Sequence, residues 1–186
     1  MAAPRLMLAL LAGLAAQPLL AKELPPPAYQ LAAETAGVPA AVLYAVALQE
    51  SAMRIRGQLR PWPWTLNVAG KPWRFRQRAT ACQALQRALA STDVRRIDIG
   101  LGQINWGYHG QRFASPCAAL EPYRNLAVAA QLLREQYQIS GDWTLAAGRY
   151  HRPAGGAPAA RYRAGFTQYL AQIQDAAPLT QPESHR

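Results

Sequence analysis

The feature of this chain that most constrains its fold is an apolar helical stripe that ends in a carboxylate. Gly37 is expected to end a first short helix, and Pro39 suits the first turn of a second helix that runs to about Met53. Four residues of the second helix share one face by their three-and-four spacing: Leu43, Val46, Ala47 and Glu50. The carboxylate of Glu50 therefore continues an apolar face.

Similar patterns predict that the rest of the chain is mainly helical. Further helices are expected over residues 77–90, 125–137, 143–150 and 159–173. Asp142 is suited to cap the helix that begins at Trp143. Two aromatic-rich segments flank a turn that contains Gly70, which predicts a small β-hairpin over residues 62–75. The predicted fold class is mainly α with one inserted hairpin.

The N-terminal segment is typical of a signal peptide. Arg5 precedes a short apolar run, and Ala16 and Ala21 offer small residues for cleavage. A membrane-spanning helix needs about 20 apolar residues, so export is favoured over an uncleaved anchor. The predicted organisation is a signal peptide over 1–21, a Pro-rich spacer over 22–28, one domain over 29–175 with an inserted segment at 57–97, and a flexible tail over 176–186.

After export the chain keeps two cysteines, Cys82 and Cys117. Disulfides persist outside the cytoplasm, so a structural bridge is favoured over a reactive thiol, although the sequence leaves their geometry open. The histidines do not show metal-ligand spacing with each other or with the cysteines. We therefore expect neither a metal nor another cofactor.

The chain is strongly basic, with 20 Lys and Arg against 10 Asp and Glu. Such a surface attracts polyanions, which include nucleic acid, membrane surfaces and anionic cell wall. Export argues against nucleic acid. The arginines are scattered along the chain, so a merely solvated basic face remains an equal alternative.

Burial of the Glu50 carboxyl would disfavour its charged form and raise its pKa, as a general acid at neutral pH requires. The alternative is a glutamate that reaches solvent at the rim of its helix. Ser51 is suited to bind a substrate, to brace Glu50, or to bond back to the helix carbonyl four residues earlier. The sequence lacks a Gly-x-Ser-x-Gly elbow, which argues against acyl transfer.

A glycine-rich turn and a tyrosine-histidine pair are the other candidate site segments. Gly100 and Gly102 allow close approach of a ligand, and Gln103 offers both a donor and an acceptor, as recognition of an acetamido group needs. A plain tight turn is the commoner explanation. Tyr150 could hold the Glu50 proton, and His151 could contact sugar or peptide; the alternative is a buried tyrosine and a surface histidine.

Four short motifs in order resemble the soluble lytic transglycosylase family. They are Glu50-Ser51, Gly100-Leu101-Gly102-Gln103-Ile104, Asn125 with Ala129-Ala130 and Leu132-Leu133, and Ala147-Gly148-Arg149-Tyr150. The resemblance covers about residues 29–170 and implies a lysozyme-like helical domain in the periplasm. It implies Glu50 as the catalytic residue, and it implies a set of substrate-binding residues: Ser51, Gln103, Ile104, Tyr150 and His151.

The chain departs from the family pattern at three places. Gly102 stands where methionine is usual, His151 stands where asparagine is usual, and the segment 57–97 is longer than the usual connection. The segment 61–68 and the Tyr150-His151 pair resemble the branch associated with conjugation and type IV secretion or pilus systems. Components of such a machine are thus implied partners, beside peptidoglycan strands.

The resemblance implies cleavage of the bond between N-acetylmuramic acid and N-acetylglucosamine, with a 1,6-anhydro product. Glu50 would act as acid and then as base, whereas ordinary glycosidases use two carboxylates. Asp98 is the nearest second carboxylate, so hydrolysis by a muramidase stays open, although a turn or capping role is the preferred interpretation of Asp98. A non-catalytic peptidoglycan-binding assembly protein is the rival from another class.

The tryptophans of the inserted segment have two interpretations. Trp62, Trp64 and Trp73 could form an aromatic wall against sugar rings, or they could pack as a small core of the hairpin. Packing is preferred for at least two of them, because a two-stranded hairpin alone is only marginally stable.

Overall fold

The computed structural model describes residues 24–175, and the mainly α prediction is confirmed. The helices within this range are α1 (Pro27–Ala36), α2 (Ala40–Ser51), α3 (Arg78–Ser91), α4 (Trp106–His109), α5 (Pro122–Ser140), α6 (Trp143–His151) and α7 (Gly156–Asp175). The strands are β1 (Ala52–Ile55), β2 (Gln58–Pro61), β3 (Thr65–Val68), β4 (Lys71–Arg74), β5 (Ile97–Ile99) and β6 (Ile104–Asn105). The expected signal peptide and the expected flexible tail lie outside the described residues.

The helix signals of the sequence act where they were expected. Gly37 ends α1 in the left-handed conformation at φ 66°, and the Asp142 carboxylate accepts a hydrogen bond of 2.7 Å from the Leu145 amide at the start of α6. Two boundaries differ. Helix α1 already begins at Pro27, so the domain starts within the predicted spacer, because proline is well tolerated at the first helical position.

The second difference is that α2 ends at Ser51, not near Met53, because the chain turns there into strand β1. Strand β1 pairs antiparallel with β2 in a hairpin that sequence reasoning missed. The predicted hairpin is confirmed as β3 and β4, joined by a turn that contains Gly70. It is not isolated, because β3 also pairs with β5 in a four-stranded sheet of order β4-β3-β5-β6.

Two hydrophobic cores support this architecture. The larger core lies among α1, α2, α5, α6 and α7, and it buries α2 from Val42 to Leu48 without a break. The smaller core packs one face of the sheet against α3. The predicted disulfide between Cys82 and Cys117 is confirmed, with Cα atoms 5.2 Å apart, and it joins α3 to the short 3-10 helix Pro116–Leu120.

Over residues 24–175, no single helix has the length and apolar character needed to cross a membrane. Helices α1 and α2 pass that test only as a pair, which is bent by 115°.

Candidate active site

A cleft of about 760 Å³ lies between the helical core and the free face of the sheet. It receives Glu50 from the last turn of α2, and Tyr150 and His151 from the end of α6. The turn between β5 and β6 contributes Gln103. The remaining walls are Asn67, Asp98, Ile104, Asn105, Tyr108, His109, Leu132, Glu135, Gln136, Arg149, Arg152, Pro153 and Ala154. The fold thus brings together predicted site residues that are up to a hundred positions apart.

The Glu50 carboxyl is the chemically unusual group of this cleft. The residue is half-buried and its carboxyl group is enclosed, so that burial raises its pKa to about 8. The neighbouring Tyr162 hydroxyl lowers this pKa and the Asp98 carboxylate raises it, both less strongly than burial. At neutral pH Glu50 is therefore mostly protonated, and it can donate a proton to a ligand in the cleft.

Two neutral phenols accompany Glu50. Burial raises the pKa of Tyr150 and of Tyr162 well above 10, and the nearby Glu50 carboxyl adds to both shifts. The Tyr150 hydroxyl donates to the Gly102 carbonyl at 2.6 Å, so its oxygen can accept a hydrogen bond from the protonated Glu50 carboxyl. The Tyr162 hydroxyl is buried beside Glu50 without a hydrogen bond of good geometry among the described residues. Sequence reasoning missed Tyr162, which lies in α7 and carries no motif.

The glycine-rich turn is fixed to α5 by one buried side chain. Asn125 donates to the carbonyls of Ile99 and Ala119, both at 2.9 Å, and accepts from the Gly102 amide at 2.8 Å. Gly100 has φ 82°, and a Cβ atom there would overlap the Asn125 amide. The turn therefore needs glycine for its backbone conformation and for space.

Gly102 is closely packed as well. A Cβ atom at Gly102 would lie 2.7 Å from the Ala129 Cβ and 2.8 Å from the Tyr150 hydroxyl oxygen. A side chain at position 102 therefore does not fit, because Ala129 and the phenol of Tyr150 occupy its space.

The predicted substrate-binding residues differ in how much of each side chain faces the cleft. Gln103 borders the cleft, but its amide nitrogen donates inward to the Gly100 carbonyl at 2.8 Å and to the Thr65 carbonyl at 3.3 Å. Only its Oε1 is left to accept from a ligand. The side chain of Ile104 is 2% exposed and belongs mainly to the core, with an edge on the cleft.

Ser51 does not line the cleft, and its hydroxyl takes the alternative of bonding back to the helix. Ser51 is 0% exposed, and its hydroxyl lies 3.0 Å from the Ala47 carbonyl and 2.8 Å from the Leu101 carbonyl. It joins the end of α2 to the glycine-rich turn, so that it positions Glu50 against that turn.

His151 is an exposed histidine at the rim of the cleft. Its ring stacks on Tyr162 with centroids 4.6 Å apart and planes inclined by 12°. Partial burial, and then Arg152, lower the pKa of His151 below 6.5, so it is neutral at pH 7. His151 is therefore placed to support Tyr162 and to offer a neutral imidazole to a ligand.

The tryptophans of the inserted segment do not line the cleft. Trp62 and Trp64 meet edge to face at 5.7 Å, and the Trp62 ring nitrogen donates to the Phe75 carbonyl at 2.7 Å. Packing is thus confirmed for two of them, while Trp73 is 37% exposed on β4.

The sheet supplies a polar wall that sequence reasoning found only in part. Asp98 was interpreted as a turn or capping residue, but it lies in β5, directly opposite Asn67 of β3. A sequence signal existed, since Leu66-Asn67-Val68 and Ile97-Asp98-Ile99 both alternate apolar and polar residues. Such alternation is typical of strands with one buried face.

Among the described residues, no three His, Cys, Asp or Glu side chains are placed to hold a metal ion together. Comparisons with family models, curated proteins and solved structures give no match to this chain.

Proposed function

We propose that this protein is a peptidoglycan lytic transglycosylase, which cleaves between N-acetylmuramic acid and N-acetylglucosamine and leaves a 1,6-anhydro end. The observation that carries the proposal is the enclosed Glu50 carboxyl, with a pKa of about 8, in a polar cleft of about 760 Å³. A cleft of this size lies in the range of ligand-binding pockets. The order of motifs around Glu50, Gln103 and Tyr150 supports the same substrate.

The proposed reaction uses Glu50 twice. The carboxyl protonates the glycosidic oxygen while the bond from that oxygen to C1 of the muramoyl sugar breaks, and the next sugar leaves with a hydroxyl group. The C6 hydroxyl oxygen of the same muramoyl sugar then bonds to C1 and returns its proton to the Glu50 carboxylate. Water is not consumed, and Glu50 ends in its starting form.

The surroundings of Glu50 suit both steps. Burial keeps the acid protonated before cleavage. The Tyr162 hydroxyl, a neutral group that can donate, stabilises the Glu50 carboxylate after proton loss. This proposal places the protein in the periplasm after signal cleavage. Its proposed role there is to open the wall locally for a conjugation, type IV secretion or pilus machine, as the resemblance of 61–68 and 150–151 implies.

Digestion of peptidoglycan sacculi tests the proposal. The mature protein, its Glu50→Gln variant and a Glu34→Gln control are incubated with sacculi, and the released fragments are identified by mass spectrometry. Glu34 is exposed on α1, so its variant should behave as the wild type. We expect anhydro-muropeptides from the wild type and the control, and none from Glu50→Gln. Unchanged release by Glu50→Gln would refute the role of Glu50.

One observation favours hydrolysis as the second candidate. Asp98 borders the same cleft as Glu50 and interacts with it electrostatically, and two carboxylates are the usual set of glycoside hydrolases. Reducing-end fragments from the wild type would identify a muramidase. Binding without any release would favour the non-catalytic assembly protein.

A further inference from the structure

The register of the sheet places a strip of polar side chains on the cleft. Asp98 pairs with Asn67 on one side and with Asn105 on the other. The residues that alternate with them are buried: Leu66, Val68, Ile97, Ile99 and Ile104. Because side chains alternate between the faces of a sheet, Asn67, Asp98 and Asn105 share the face that borders the cleft.

Asp98 is held in one orientation and keeps one free acceptor. Its Oδ1 accepts a hydrogen bond of 2.8 Å from the Asn105 amide nitrogen. Asn105 is itself fixed, since the same nitrogen donates to the Arg95 carbonyl at 2.9 Å and its Oδ1 accepts from the Gly107 amide at 3.1 Å. The Oδ2 atom of Asp98 makes no hydrogen bond with a described residue, so it is left to accept from a ligand.

The amide of Asn67 is unused within the described part of the chain. Its Oδ1 is buried without a hydrogen bond, and its Nδ2 also makes none with a described residue. An amide offers two donors and an acceptor, and native proteins rarely leave such groups unpaired. Its place in the cleft wall indicates that a ligand completes its hydrogen bonding.

We propose that Asp98 and Asn67 form a hydroxyl-binding site for the sugar residue on which Glu50 acts. The inference rests on the proposed function, which supplies the class of ligand. A sugar hydroxyl donates and accepts at once, so it can donate to Asp98 Oδ2 while it accepts from the Asn67 amide. Asp98 and Asn67 line the same cleft as the Glu50 carboxyl, so this site and the acid face one ligand.

The test measures binding without turnover. Calorimetry measures the affinity of three proteins for a peptidoglycan tetrasaccharide. They are the Glu50→Gln variant, the same variant with Asp98→Asn added, and the same variant with Asn67→Ala added. We expect the dissociation constant to rise at least tenfold with Asp98→Asn and about threefold to tenfold with Asn67→Ala, as lost charged and neutral hydrogen bonds predict. Asp98→Asn keeps the shape of the side chain and its acceptor for Asn105.

The control is Asp93→Asn, which removes the same charge from an exposed carboxylate outside the cleft and should leave affinity unchanged. Melting curves show that each variant is folded. If Glu50→Gln binds the saccharide and both added substitutions leave affinity unchanged, the site is refuted while the proposed function stands. If Glu50→Gln does not bind the saccharide and the wild type does not release fragments from sacculi, the proposed site and the proposed function are both refuted.

Discussion

Glu50 is an acidic residue at the end of a helix that is mostly buried in the hydrophobic core. Helix α2 is buried on every side from Val42 to Leu48, and the carboxyl follows at its last turn, where the cleft begins. An acid in this place loses the hydration that stabilises its charge, so the proton stays bound at pH values where exposed glutamates are ionised. The fold therefore keeps the Glu50 carboxyl protonated at neutral pH, as the proposed role of a general acid requires.

The first prediction concerns the pH dependence of cleavage. Because the reaction starts from protonated Glu50, kcat/KM should fall on the alkaline side with an apparent pKa of about 8. Initial rates of fragment release measure this, over a pH range that extends from below the ordinary pKa of glutamate, 4.5, to above 8. An alkaline limb near pH 4.5 would show that the carboxyl is solvated and would contradict the buried acid.

The second prediction concerns stability. The folded pKa of Glu50 lies above its unfolded value of 4.5, so the folded state binds more protons between pH 4.5 and about 8. The favourable contribution of the protonated carboxyl is complete below pH 4.5 and is lost as pH rises through 8. Glu50→Gln should therefore gain stability relative to the wild type across this window, by up to a few kcal/mol.

Urea unfolding of the wild type and of Glu50→Gln at pH 5, 7 and 9 measures the difference between their free energies of unfolding. A difference that stays constant with pH would mean that Glu50 titrates alike in the folded and unfolded states.

Some residues of the candidate site could be predicted from the sequence, and others could not. Glu50 was found because its apolar stripe has a helical period, and Gln103 because glycines mark its turn. The burial of Ser51 and the closeness of Tyr162 to Glu50 depend on packing between α2, α7 and the turn, which local patterns do not encode. The place of Asn67 in the cleft was not predicted, although the alternation of apolar and polar residues around it is a signal for a strand with one buried face.

At the scale of elements, the turn between β5 and β6 depends on α5 through Asn125. Asn125→Ala would remove three hydrogen bonds, to the Gly102 amide and to the carbonyls of Ile99 and Ala119. We expect a loss of about 3 kcal/mol in unfolding free energy and weaker cleavage, because Gly102 and Tyr150 lose their support. The control Gln131→Ala, on the exposed side of α5, should change neither the free energy of unfolding nor cleavage. Equal stability of the two variants would contradict this role.

The disulfide is the second element-scale feature with a measurable effect. It closes a separation of 35 residues and ties α3 to the segment that leads into α5. Reduction should lower the free energy of unfolding by about 3 to 4 kcal/mol on the chain-entropy account. Thermal melting with and without reductant measures the loss, and a Cys82→Ser, Cys117→Ser double variant should not respond to reductant. An unchanged Tm of the wild type would contradict the prediction.

Elements were predictable in proportion to their length and local signals. The helices α3, α5, α6 and α7 lie where their apolar periods and caps placed them, within a few residues. Strands β5 and β6 have three and two residues, and they depend on pairing: β5 pairs with β3, and β6 pairs with β5. Asn125 was expected to head a helix, but α5 begins earlier, at Pro122 behind the Glu121 cap.

On the scale of the whole molecule, the charge distribution is uneven. Between Glu50 and Asp93 the chain lacks Asp and Glu, although it contains these cations: Arg54, Arg56, Arg60, Lys71, Arg74, Arg76, Arg78 and Arg87. Together with the net charge of +10, this basic region should attract an anionic polymer such as peptidoglycan with its peptide carboxylates.

The last prediction follows from this charge. Binding of the Glu50→Gln variant to sacculi should weaken on the order of tenfold when NaCl rises from about 0.05 M to about 0.5 M, because salt screens exposed charges. Cosedimentation measures the bound fraction. Binding that does not respond to salt would mean that the basic region is only a solvated surface.

The most direct test of the central claim is to digest sacculi with the wild type in ¹⁸O-labelled water and to analyse the released sugar ends by mass spectrometry. In the proposed reaction the C6 hydroxyl, and not water, attacks C1, so we expect 1,6-anhydro ends without ¹⁸O and no release by Glu50→Gln. Reducing ends that carry ¹⁸O, or equal release by the variant, would contradict it.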